Sequence, residues 1–205
     1  MAGSALADDF APPAWRGGAL STTQGWDFLT PQDPLQPDDP NVPLVIGNGG
    51  GVPLASYAAM QWVPHDGDGG LIGGPGSQLH LYIPNWIDFE PFKWMWIQIT
   101  FVGSPTNVPY IVNLGAQDNV ANYVYVVPDP PVVYSLGSSN VDTGVYGVAQ
   151  GFTLFPNPDW EMFDIFVPEN VVIDQIVVDT ISFPEPTSMA LLALGALPMI
   201  TRRRR

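Results

Sequence analysis

The sequence has no cysteine, only two histidines and only six basic residues among 205. Each shortage removes a class of chemistry. Without cysteine there is no thiol nucleophile, no disulfide and no thiolate metal site, although no compartment follows from that. His65 sits in a Gly/Asp loop and His80 in a strand-like stretch. Neither neighbourhood favours a Ser-His-Asp arrangement, and two histidines without a characteristic spacing make poor zinc ligands. No G-x-S-x-G elbow, P-loop or dinucleotide fingerprint occurs. Charge is scarce at 13%, and four of the six cations are the terminal Arg202, Arg203, Arg204 and Arg205. A body taken from Asp8 to Phe183 keeps only Arg16 and Lys93 against nineteen acids. Such a field repels phosphate backbones, which argues against nucleic acid, and against an anionic membrane surface, as partners of the body.

What is present points to a folded all-β chain. Hydrophobic residues make up 46% and aromatics 12%, too apolar for general disorder. The 23 prolines and 21 glycines would break long helices repeatedly, whereas short strands joined by turns tolerate them. From Asp8 to about Asn41 the chain is rich in Pro, Asp, Gln and Thr, with Phe10, Trp15, Trp26 and Phe28 interspersed, and reads as irregular structure with short extended pieces. Strand-like stretches follow at Pro53–Val63, Gln78–Ile83, Lys93–Val102, Tyr110–Leu114, Asn122–Val127, Val132–Leu136, Val145–Leu154, Met162–Val167 and Val171–Phe183. The clearest alternation puts Met95, Ile97, Ile99 and Phe101 on one face. The expected architecture is one domain, an antiparallel, jelly-roll-like β-sandwich with an irregular N-terminal segment and a short hydrophobic C-terminal helix.

The same alternation nominates surface residues. With Leu79, Leu81 and Ile83 inward, His80 and Tyr82 face out; with Met95, Ile97 and Ile99 inward, Trp94, Trp96 and Gln98 face out; with Val124 and Val126 inward, Tyr123 and Tyr125 face out. Aromatic faces stack on sugar rings and their polar neighbours bond to ring substituents, so three such strands side by side would form a glycan platform. Trp86, in the loop after Tyr82-Ile83-Pro84-Asn85, is a further candidate contact. The competing expectation is that the Pro- and aromatic-rich N-terminal segment covers this face as a second core layer. Asp66 and Asp68 in His65-Asp66-Gly67-Asp68-Gly69-Gly70 are candidate calcium ligands, but Leu71 and Ile72 stand where an EF-type loop would continue with acids. A polar hairpin turn is the favoured reading, and no cofactor is expected. Glu90, Glu161 and Glu169 supply carboxyls from which a glycosidase pair could be drawn, although spacing shows no pair.

The end of the chain has three parts in order: Pro184-Glu185-Pro186, the apolar run Met189–Ile200, and the four terminal arginines. The prolines stop the preceding strand, the run partitions into lipid, and the arginines stay on the cytoplasmic side, leaving the body outside. Twelve residues rising 1.5 Å each span roughly 18 Å, against a hydrocarbon core of about 30 Å. This favours a transient membrane association. The ending resembles the PEP-CTERM sorting signal of bacterial proteins handled by exosortase, a membrane-embedded transpeptidase-like enzyme. The body is similar, through Phe10–Gly17, Tyr82–Asn85, Asn157–Glu161 and Val172–Thr180, to a subset of PEP-CTERM proteins with an uncharacterised domain. Its Ile173-Asp174-Gln175-Ile176 stretch is similar to the closing strand of many carbohydrate-binding modules.

The resemblance implies export, transient anchoring in the inner membrane, an exosortase-type processing partner, and a final place at the cell surface or in the exopolysaccharide matrix. Ala5-Leu6-Ala7 before Asp8 looks like a signal-peptidase site without the preceding basic and apolar regions. Residues 1–7 are therefore expected to be the remnant of a longer signal peptide, residues 8–183 the β domain and residues 184–205 the sorting tail. The expected function is non-enzymatic and structural or adhesive. The alternatives are a carbohydrate-binding module and, third, a polysaccharide-active enzyme.

Overall fold

The computed structural model describes residues 9–65, 68–117, 124–138 and 144–183. Ten strands and no helix occur among them: β1 (Ser21–Trp26), β2 (Leu54–His65), β3 (Asp68–Pro84), β4 (Phe92–Gly103), β5 (Tyr110–Gln117), β6 (Tyr125–Pro128), β7 (Val132–Ser138), β8 (Gly144–Phe155), β9 (Trp160–Phe166) and β10 (Val172–Phe183). Together they form one antiparallel sheet, nearly closed into a barrel, in the order β5-β9-β3-β10-β4-β8-β6, with β1 on β10, β2 on β3 and β7 on β8.

The sheet turns its corner at β3. Gly73-Gly74-Pro75-Gly76 spans the break in that strand's pairing register with β2, and Gly76 has φ 72°, a conformation other residues adopt only with strain. A Cβ at Gly73 would lie 2.5 Å from the Pro168 carbonyl oxygen, so β3 can pass this chain only without a side chain there. Before the break Leu71 and Ile72 pair with Ile173 and Val172 of β10; after it Gln78–Pro84 pairs with β9. One strand thus belongs to both layers.

The layers enclose a single core. Met95, Ile97, Ile99 and Phe101 of β4 sit opposite Phe152, Val148 and Tyr146 of β8 and Thr180, Val178 and Ile176 of β10 on the inner face. Leu79, Leu81 and Ile83 of β3 with Phe163 and Ile165 of β9 close the core from the other side. Closure is incomplete between β5 and β7, where Ile97, Ile99, Ile111, Val133 and Val148 line an apolar cavity of about 170 Å³.

Each expected strand-like stretch coincides at least in part with a strand. The structure adds β1 and the first half of β3, and it joins the expected layers into a continuous sheet. The start of Asn122–Val127 and the expected C-terminal helix lie outside the described residues.

Candidate functional site

The outer face of β4 is where the sequence places its aromatic residues, and there the N-terminal segment lies across it. Trp96 Nε1 donates to the Ala11 carbonyl at 2.9 Å, the Ala11 amide donates to Gln98 Oε1 at 2.7 Å, and Gln98 Nε2 donates to Asp9 Oδ1 at 3.0 Å. Trp15 packs 5.8 Å from Trp94, ring centre to ring centre, and Phe10 packs 5.1 Å from Tyr134. Phe10 also lies over Gly147, where an added Cβ would meet the ring at 2.4 Å.

Arg16 clamps this strap. Its Nε and Nη2 donate to Asp179 Oδ1 and Oδ2 at 2.7 and 2.6 Å, a bidentate pair, and the same guanidinium bonds Asp9. Asp179 is fully buried on β10 and also accepts from Thr23 Oγ1 at 2.8 Å. Charge-assisted bidentate bonds of this kind fix orientation as well as contact. A groove of about 390 Å³ survives beside the strap, lined by Pro12, Pro13, Trp15, Trp94, Trp96 and Tyr134.

His80 and Tyr82 face outward as expected, but from β3, on the other layer. His80 Nδ1 lies 2.5 Å from Asp164 Oδ1, Asn113 Nδ2 donates to Asp164 Oδ2 at 2.8 Å, and Tyr82 packs 5.9 Å from Trp160. Tyr125 projects from β6, 77% exposed, while Trp86 is half-buried and donates to the Ser21 carbonyl at 3.0 Å. The residues nominated for a glycan platform are therefore distributed over several surfaces: Trp94, Trp96 and Gln98 share one, and His80 and Tyr82 another. Tyr123 lies outside the described residues, as do Asp66 and all of Pro184, Glu185, Pro186, Arg202, Arg203, Arg204 and Arg205.

β2 and β3 pair as far as His65↔Asp68, the hairpin expected around Asp66 and Asp68, and His65 Nε2 lies 3.6 Å from Asp174. Among the described residues no three His, Asp or Glu side chains gather as a metal site, and no helix is long and apolar enough to cross a membrane. Glu169 is exposed and Glu90 half-buried, whereas Glu161 is sealed in the interior. Neither the seam cavity nor the strap groove is lined by two carboxylates.

A second polar centre lies inside the fold. Asn85, Lys93 and Glu161 are each fully buried. Asn85 directly follows β3, Lys93 is near the start of β4 and Glu161 near the start of β9, all on the inward parity of the strands. Asn85 Nδ2 donates to Glu161 Oε2, and Thr180 Oγ1 donates to Asn85 Oδ1 at 3.1 Å. Thr22 Oγ1 lies 2.7 Å from Thr180 Oγ1 and supports it. Among the described residues Glu161 Oε1 has no hydrogen-bond partner, and Lys93 Nζ reaches the Pro158 carbonyl only at 3.5 Å.

Burial dominates both ionisations. It pushes Glu161 up to about 7 against the opposing pull of Lys93 and Asn85, and it pulls Lys93 down to about 8 against the carboxylates of Glu161, Asp88 and Asp159. The alternation that turns Met95 inward also turns Lys93 inward, and Phe163 does the same for Glu161. Strand parity is therefore the sequence signal for this centre.

No family model, curated protein or solved structure matches the chain.

Proposed function

We propose that the chain is an exported structural or adhesive component of the cell surface or exopolysaccharide matrix, delivered through its PEP-CTERM-like tail. The β body, taken in finer terms as a jelly-roll-like sandwich, is the building block. An exosortase-type enzyme processes the tail after transient residence in the inner membrane. The observation that carries the structural reading is the strap. Residues 9–16 occupy the face on which Trp94, Trp96 and Gln98 stand and satisfy the Trp96 and Gln98 polar groups, so that face serves as packing.

Removing the gene from its source organism should weaken cohesion or attachment of the matrix. The purified protein should meanwhile show no saturable calorimetric binding to exopolysaccharide from the same organism, with or without calcium. An unchanged matrix would count against the proposal.

A carbohydrate-binding function is the second reading, and the groove beside Trp15, Trp94, Trp96 and Tyr134 favours it. Rings flanking an open slot are what sugar stacking uses. Saturable binding that disappears in Trp94→Ala would establish this reading in place of the first.

A further inference from the structure

Lys93 is the only lysine in the chain, and it is fully buried. A lone lysine carries no advantage inside a core, because a buried ammonium is costly unless it is well paired. Among the described residues its ammonium makes one hydrogen bond, and that bond is long. Glu161, Asp88 and Asp159 act on its charge, and the strand register sets its long side chain toward a group of residues suited to amide exchange.

The pairing register brings these groups together. Lys93 stands opposite Ser182 on β10, so Thr180, two residues away on the same face, is its diagonal neighbour. The Thr180 hydroxyl holds the carboxamide oxygen of Asn85, and the Glu161 carboxyl holds the carboxamide nitrogen. The oxygen that would gather negative charge already accepts a hydroxyl proton. The nitrogen that would depart already touches an acid. An amine on the adjoining strand completes the set.

We propose that Lys93 and Asn85 form an intramolecular isopeptide bond, with Glu161 relaying the proton and Thr180 stabilising the oxyanion. The neutral amine Nζ attacks Cγ of Asn85, and the tetrahedral oxygen is held by Thr180. Glu161 takes a proton from Nζ and delivers one to Nδ2. The Cγ–Nδ2 bond breaks, ammonia leaves, and an Nζ–Cγ amide remains. No oxidant, metal or cofactor enters the balance. Burial shifts the lysine down and the glutamic acid up, toward the neutral amine and the protonated carboxyl that the step requires. The bond ties the end of β3 to the start of β4 and closes the loop carrying Ile87 and the fully exposed Phe89. It gives a cysteine-free chain a covalent fastening.

The test uses the full chain, denatured and digested with a lysine-specific protease. A linked protein stays in one piece, because its single lysine is blocked, and its intact mass shows a deficit of about 17 Da, one ammonia, which a second digest with a protease of acidic specificity maps to Asn85 and Lys93. Glu161→Gln, confirmed folded by its far-UV circular dichroism and cooperative unfolding, should be cut after Lys93 and keep its full mass. Asn85→Asp retains the acyl donor and should link with loss of water instead, giving the same final mass as the linked parent. Cleavage of the folded-then-denatured parent at Lys93 with no mass deficit would overturn the proposal. A deficit of about 18 Da mapped to Lys93 and Glu161 would also overturn it, because the acid would then be the acyl donor.

Discussion

At the scale of single residues, the two cations of the body are both committed to the interior or its margin. Arg16 ties the strap to Asp179 and Asp9. Replacing it by Met leaves Asp179 buried without its bidentate partner, an effect on the order of 3–5 kcal/mol when one half of a buried pair is removed. Urea unfolding of Arg16→Met should show that loss, and its tryptophan emission should move to the red as the strap lifts from Trp94 and Trp96.

Glu161 gives a pH dependence whose sign is fixed. Its folded-state value near 7 lies above the ordinary 4.5, so the folded state binds the extra proton between those values, and stability falls as pH rises from about 4.5 to about 7. The fall attributable to this residue is on the order of 3 kcal/mol at most. In Glu161→Gln that component should vanish, as measured by unfolding free energies at pH 4.5 and pH 7.

At the scale of elements, the clearest alternation in the sequence corresponds to β4, whose inward side chains are all buried. β4 reads directly from Lys93–Phe101, because a strand with one buried face has a period of two. β1 carries no such signal. Ser21-Thr22-Thr23-Gln24 is polar on both faces, and it is a strand because Thr23 meets Asp179, Thr22 meets Thr180, and β10 offers an edge. These are tertiary reasons that a local window does not contain. The outward faces of Trp94, Trp96, His80 and Tyr82 were likewise legible, but their assignment to different layers depends on the bend in β3. Gly73 is the position to test. Gly73→Ala would drive a Cβ against the backbone oxygen of Pro168, and overpacking of this kind costs about 1–3 kcal/mol. A matching drop in urea stability is expected, larger than for Gly50→Ala, where an added Cβ meets nothing within 4 Å.

At the scale of the whole molecule, charge, fold and tail fit one account. The body carries nineteen acids against two cations, a net charge that disfavours nucleic acid. Its continuous sheet turns one outer face into packing beneath the strap and keeps the polar cluster of Asn85, Lys93 and Glu161 within. We propose that the C-terminal tail determines where this body ends up. The most direct measurement is fractionation of cells making the full chain or a form with Pro184→Ala, Glu185→Ala and Pro186→Ala together, detected with an antibody against the body. The parent should be released to the cell surface or matrix as a shortened chain lacking the arginine cluster. The altered form should be retained, unshortened, in the inner-membrane fraction. Identical processing and distribution of the two would contradict the account.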